Sequence, residues 1–141
     1  MNAYARTADA YLSQRVLGAG PEQQAALIME AGQLHLGKAI QALSRNDKTA
    51  ASHSFIRVSE VIREATLRLD LESENEAAKS LKRLYDWWTL EIMVASGLCD
   101  TTRLAAVAHG MGEIRQAWEQ LHREKAGAKR VTTFQLGDQF I

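Results

Sequence analysis

Apolar residues recur along this chain at spacings of three and four, the period of a helix buried on one face. From about 48 to 70 the stripe is Ala51, Phe55, Val58, Ile62, Ala65 and Leu69. Up to about Ser96 it is Ala77, Leu81, Leu84, Tyr85, Trp88, Ile92 and Ala95. From Asp100 to about Lys125 it is Leu104, Val107, Met111, Ile114, Trp118 and Leu121. An earlier segment, about 21 to 45, places Ala25, Ile28, Gly32, Leu36, Ala39 and Leu43 on one face.

The residues between these stripes are those that start and stop helices. Pro21 suits a first helical position, and Glu22 suits the positive end of the helix dipole. Asn46 and Asp47 interrupt the pattern, and Asp47 suits the cap of the next helix. Ser73 with Glu76 reads as a capping box. Gly97 is the expected left-handed stop of the third helix, Asp100 the cap of the fourth, and Gly127 its end. Helices of about 24 residues run some 36 Å at 1.5 Å per residue. Joined by a few residues each, they predict an all-α fold, an antiparallel up-down-up-down four-helix bundle. The expected division is an N-terminal arm (1–20), the bundle (21–126) and a C-terminal tail (127–141).

Apolar residues off the core stripes change this picture. At 100° per residue, Trp87, Leu90 and Val94 form a second stripe on the third helix, far from its core stripe. Ile56 and Leu67 share a face opposite the core stripe of the second helix. Leu27, Ala31 and Leu34 make a second apolar face on the first. A simple four-helix bundle has no central helix to justify two apolar sides. Three explanations stand at this point: flanking segments cover these faces, the residues are scattered on the surface, or they line a groove for an apolar partner. Residues 3–17, with Tyr4, Tyr11, Leu12, Val16 and Leu17, are one candidate cover. Residues 128–141, with Val131, Phe134, Leu136, Phe140 and Ile141, are another.

Composition narrows the function classes. Of 141 residues, 46% are hydrophobic and 24% charged, as in an ordinary globular domain. Lys plus Arg and Asp plus Glu are 17 each, so the net charge is zero. Nothing in that balance draws the chain to nucleic acid or to an anionic membrane. No apolar run approaches the ~20 residues of a membrane span, and the opening MNAYARTADAY predicts no secretory signal. The single cysteine, Cys99, excludes an internal disulfide, and a reducing cytosol is the expected setting.

The sequence also lacks the motifs of common catalytic sites: no phosphate loop, dinucleotide fingerprint or nucleophile elbow occurs. His35, His53, His109 and His122 follow no metal-ligand spacing. Glu119 and His122 make one E-x-x-H, whereas a di-iron bundle needs two, with further inward glutamates. Cys99 sits in a turn beside Asp100, an unfavourable place for a catalytic thiol. The expectation is a protein without enzymatic activity, catalytic residues, metal or cofactor.

Four strings then resemble a known family. AYLSQRV followed by GPEQ sets Tyr11, Val16 and Pro21 in Y-x4-V-x4-P spacing. RLDLESENEAAKSL is similar to an LD-E-x-x-E-IA-x-x-L stretch. LYDWW, Leu84 to Trp88, is similar to LYDY, and EIRQAWEQ, Glu113 to Gln120, to LREAWEE. In this order and at these separations, across about residues 10 to 124, they resemble the FliS family of flagellin export chaperones. The first helix departs from the family's usual string, with Met29 and Glu30 where Tyr-Asp is common.

The resemblance implies a bacterial cytosolic chaperone. It would hold the C-terminal region of newly made flagellin around the outside of the bundle and block premature polymerisation. Export through the flagellar type III secretion system would follow, by way of the export gate protein FlhA. It also implies that the motif of Tyr11 and Val16 docks on the client groove in the free chaperone. Helical geometry names the expected groove residues as Ile56, Leu67, Trp87, Leu90, Val94, Leu27 and Leu34. The alternatives are a regulatory or scaffold bundle using the same grooves, or a metal-binding bundle.

Overall fold

A computed structural model describes residues 20–72 and 74–139, with side chains described as far as Ala128. Four helices make up the described chain: α1 (Pro21–Ser44), α2 (Lys48–Leu67), α3 (Glu76–Gly97) and α4 (Thr101–Gln139). No strand occurs among the described residues. α1 packs on α2 and α4, and α3 packs on α4 and α2, so the four helices close a ring around one core.

The α1–α2 and α3–α4 turns are built alike. Asn46 (φ 59°) and Cys99 (φ 53°) occupy the left-handed region. The following aspartate N–H reaches back to the helix just ended, Asp47 to the Ala42 carbonyl and Asp100 to the Ala95 carbonyl, both at 2.9 Å. This is the Schellman closure of a helix C-terminus. The same aspartates cap the next helix: Asp47 Oδ1 accepts from the Ala50 N–H at 3.0 Å, and Asp100 Oδ1 from the Arg103 N–H at 3.1 Å. One residue thus ends one helix and starts another, which keeps the turns short.

Some boundaries differ from the sequence reading. Gly97 is the last residue of α3, and the left-handed position falls two residues later, on Cys99, where the Asp100 closure requires it. The cap of α3 is Asn75, whose side chain accepts from the Ala77 N–H at 2.9 Å; Ser73 lies outside the described residues. α2 ends at Leu67 rather than near residue 70. α4 passes through Gly127 and continues to Gln139. A glycine ends a helix by turning left-handed, and no described glycine has positive φ.

The core follows the stripes closely. Met29, Leu36, Val58, Trp88, Leu104, Val107 and Met111 are almost wholly buried. Tyr85 stacks on Trp88, with ring centroids 5.4 Å apart. On α3 the stripe begins at buried Ala78, since Ala77 at the first turn is exposed. Leu121, at the other end of the α4 stripe, is exposed as well. Two glycines set how closely the helices approach. A Cβ on Gly32 would stand 3.0 Å from Met111 Sδ and 3.2 Å from Val61 Cγ1, and one on Gly110 would stand 3.3 Å from Trp88 Cζ2. α1 therefore lies close to both neighbours at Gly32, and the Trp88 indole fills the space beside Gly110.

Polar ties connect the helix ends. Arg68, just past α2, donates to Gln24 Oε1 at the start of α1 at 2.8 Å. Lys125 of α4 pairs with Glu22 of α1. The Lys125 ammonium, by its hydrogen bond, holds the Glu22 carboxyl below the usual carboxylate range. Midway along the α1–α4 seam, Gln33 Nε2 donates to the Ala108 carbonyl at 3.1 Å.

Candidate functional site: the outward apolar faces of the bundle

The buried residues of α3, Ala78, Tyr85, Trp88, Ile92 and Ala95, all point to one side. Trp87, Leu90 and Val94 lie at offsets of three and seven and project roughly opposite them. Trp87 is 53% exposed, Leu90 61% and Val94 49%. Large apolar side chains standing this open in a row are uncommon unless something binds there. Leu98, 65% exposed, continues the row one turn on from Val94, and Met93 widens it. These two were missed in the sequence reading, although the i, i+4 steps from Leu90 to Val94 to Leu98 carry the signal. From Trp87 to Leu98 the row is about 16 Å long, three turns of a helix.

Charged pairs flank this row. Arg103, in the first turn of α4, holds Glu91 through two hydrogen bonds of 2.6 and 3.0 Å. This fork fixes α3 against α4 beside Leu90 and Val94. The Arg103 guanidinium keeps the Glu91 carboxyl below its ordinary range, against the opposing effect of partial burial. On the other flank Lys82 pairs with Asp86 at 2.6 Å.

α2 contributes separately. Ile56 and Leu67 face away from its buried residues, Ala51, Val58, Ile62 and Ala65, and both are exposed. Leu67 also lines a cleft of about 270 Å³ along the α2–α3 seam, with Ile62, Thr66, Asp86 and Thr89. On the far side of the molecule, exposed Leu34 lines a different cleft, on the α1–α4 seam with Gln33 and Arg115. The expected groove residues thus fall on three surfaces: the outer face of α3, the outer face of α2 and the α1–α4 seam.

Leu27 belongs to none of these open surfaces. It is only 5% exposed and falls in a buried run, Ala26, Leu27, Ile28 and Met29. Four successive residues span most of the circumference of a helix, so α1 is covered nearly all round here. The second apolar face read from Leu27 and Leu34 is buried at one end and open at the other. Tyr11 and Val16 lie outside the described residues.

Among the described residues, no group of three or more His, Cys, Asp or Glu side chains is placed to hold a metal ion. Glu119 of the E-x-x-H pair faces Arg115, with 3.5 Å between Oε1 and Nε. Burial pushes the Tyr85 hydroxyl up, against a hydrogen bond with Trp118, which suits a core tyrosine. No helix among the described residues is long and apolar enough to cross a membrane.

Comparison with protein families bears on the remaining readings. The family described as flagellar protein FliS matches residues 3–125, which takes in α1 to α3 and most of α4. The chain belongs to the FliS family. Membership supports a flagellar export chaperone, and it is a family of chaperones, not of enzymes. No curated protein matches the chain. The match stops at residue 125, close to the Lys125–Glu22 pair. α4 beyond it lies outside the family region.

Proposed function

We propose that the chain is a cytosolic chaperone that binds the C-terminal region of newly made flagellin, prevents its premature polymerisation and assists its export through the flagellar type III secretion system. The observation that carries this reading is the row Trp87, Leu90, Val94 and Leu98 on the outer face of α3. Its length and spacing suit an amphipathic helix of the client laid along α3, apolar side against apolar side. Ile56, Leu67 and Leu34 extend the contact to α2 and to the α1–α4 seam. Contact on several faces fits a long, unfolded client that orders as it binds. Such a client gains affinity from contact area rather than from one tight pocket.

The ties Arg68–Gln24, Gln33–Ala108 and Arg103–Glu91 support an antiparallel up-down-up-down arrangement of the bundle. The division into arm (1–20), bundle (21–126) and tail (127–141) belongs to the same reading. So does docking of Tyr11 and Val16 on the client groove in the free protein, and hand-over of the loaded complex to the export gate protein FlhA.

The direct test is co-purification of the tagged protein with flagellin from the bacterium that makes both. A one-to-one complex is expected, lost when the C-terminal region of flagellin is removed. A stable complex with some other protein, and none with flagellin, would favour the scaffold reading.

A further inference from the structure

Gln33 Oε1 and Arg115 Nε are both closed to solvent, and neither has a hydrogen-bond partner. Gln33 donates to the Ala108 carbonyl through Nε2 at 3.1 Å, and only the NH₂ end of an amide donates, so Oε1 is fixed at the other end. Arg115 Nε faces Glu119 Oε1 at 3.5 Å, longer than a charge-assisted hydrogen bond. Buried polar atoms are nearly always paired. With solvent shut out, their partners must come from within the chain. The two atoms complement each other, one an acceptor and one a donor.

They also lie within reach of each other. Gly112 lets the Gln33 amide lie against α4: a Cβ there would stand 2.6 Å from Gln33 Nε2 and 3.7 Å from Oε1. Arg115 is three residues on, one turn along the same face of α4, where Cβ atoms are about 5–6 Å apart. A guanidinium on its long aliphatic stem spans that step, and both residues border the same cleft of about 330 Å³. We propose that Arg115 is a latch on the α1–α4 seam, turning between Glu119 on its own helix and Gln33 Oε1 on α1. The outward arrangement is an ion pair within one helix, with side chains 32% and 42% exposed, and such pairs contribute little. The inward arrangement satisfies two buried atoms at once. It ties α1 to α4 between the Gln33–Ala108 bond and the Lys125–Glu22 pair, and so limits how far the cleft beside Leu34 can open. Both partners belong to this chain, so the latch stands apart from the chaperone reading.

The test follows the Arg115 Nε–H of the full-length, nitrogen-15-labelled protein by NMR, the signal being identified by its absence from Arg115→Lys. Gln33→Met keeps the volume and removes the acceptor, and the Nε–H should then exchange with water about fivefold faster, the loss of one net hydrogen bond. Glu119→Gln removes the outward charge, and the Nε–H should exchange no faster than in the wild-type protein. A fixed Arg115–Glu119 pair predicts the reverse: faster exchange in Glu119→Gln and no change in Gln33→Met. That result would overturn the latch. So would a response to Glu30→Gln with none to Gln33→Met, since Glu30 borders the same cleft and would then be the inward acceptor. Should Gln33→Met fail to fold, Glu119→Gln decides alone. No client enters the measurement, so its failure leaves the chaperone reading standing.

Discussion

Cys99 holds a left-handed backbone position (φ 53°) between α3 and α4, a conformation that costs a side-chain-bearing residue about 1–2 kcal/mol. Cys99→Gly should therefore stabilise the fold by about 1 kcal/mol, less whatever the freer unfolded chain takes back. Thermal melting should register a rise of a few degrees, and a fall would mean that the thiol packs usefully. Two carboxylates shape the response to acid. Glu22 and Glu91 are held below the usual carboxylate range by Lys125 and Arg103. A depressed folded pKa adds stability that is present above the unfolded value, about 4.3, and is lost as pH falls through the folded value. Melting temperature should therefore fall on acidification below about pH 4.5, and the fall should be shallower in Glu91→Gln. An equally steep fall in that variant would mean the Arg103 fork contributes nothing. At this scale the sequence was only partly legible. Asp47 and Asp100 announced themselves as caps, because cap chemistry is local. The shift of the left-handed position from Gly97 to Cys99 was hidden, because the Asp100 N–H closure onto Ala95 sets it, and that is a matter of register and not of propensity.

The four helices were legible because burial on one face imposes its own period, and Val58, Ile62, Trp88, Ile92, Leu104 and Val107 are buried as that period requires. Helix ends were less legible. Ala126–Gly127–Ala128 reads as a stop, yet α4 continues to Gln139. One glycine costs about 1 kcal/mol inside a helix, which the neighbouring residues can offset. Truncation after Ala128 should leave a folded bundle that still binds client. The reason is that Lys125–Glu22 ties α4 to α1 short of the cut, and the buried residues of α4, Leu104, Val107 and Met111, lie well before it. Circular dichroism and a melting curve would check this. An insoluble product, or a loss above about 2 kcal/mol, would make the extension of α4 part of the core.

At the scale of the whole molecule, the outward rows on α2 and α3 were visible in the sequence because a bundle core needs only one face of each helix. The fate of α1's second face was not visible, since covering Leu27 while leaving Leu34 open depends on tertiary packing along the helix. If the motif of Tyr11 and Val16 occupies part of the client surface in the free protein, the apparent affinity is reduced by the open fraction. Deleting residues 1–17 should then tighten client binding, by about tenfold for 1.4 kcal/mol of competition removed. Weaker binding on deletion would mean that the arm contacts the client itself or braces the fold.

The central claim, that the outer face of α3 is the client-binding surface of a folded chaperone, is tested most directly by one comparison. Calorimetric titration of the flagellin C-terminal region would be run against the wild-type protein, Leu90→Asp and Leu27→Asp, with helicity and melting temperature measured for each. Leu90 is 61% exposed and Leu27 is 5% exposed. The account predicts that Leu90→Asp abolishes binding with wild-type helicity and melting. Leu27→Asp should lose several kcal/mol of stability, the usual consequence of burying an unpaired charge. Normal client binding by a folded Leu90→Asp protein would contradict it.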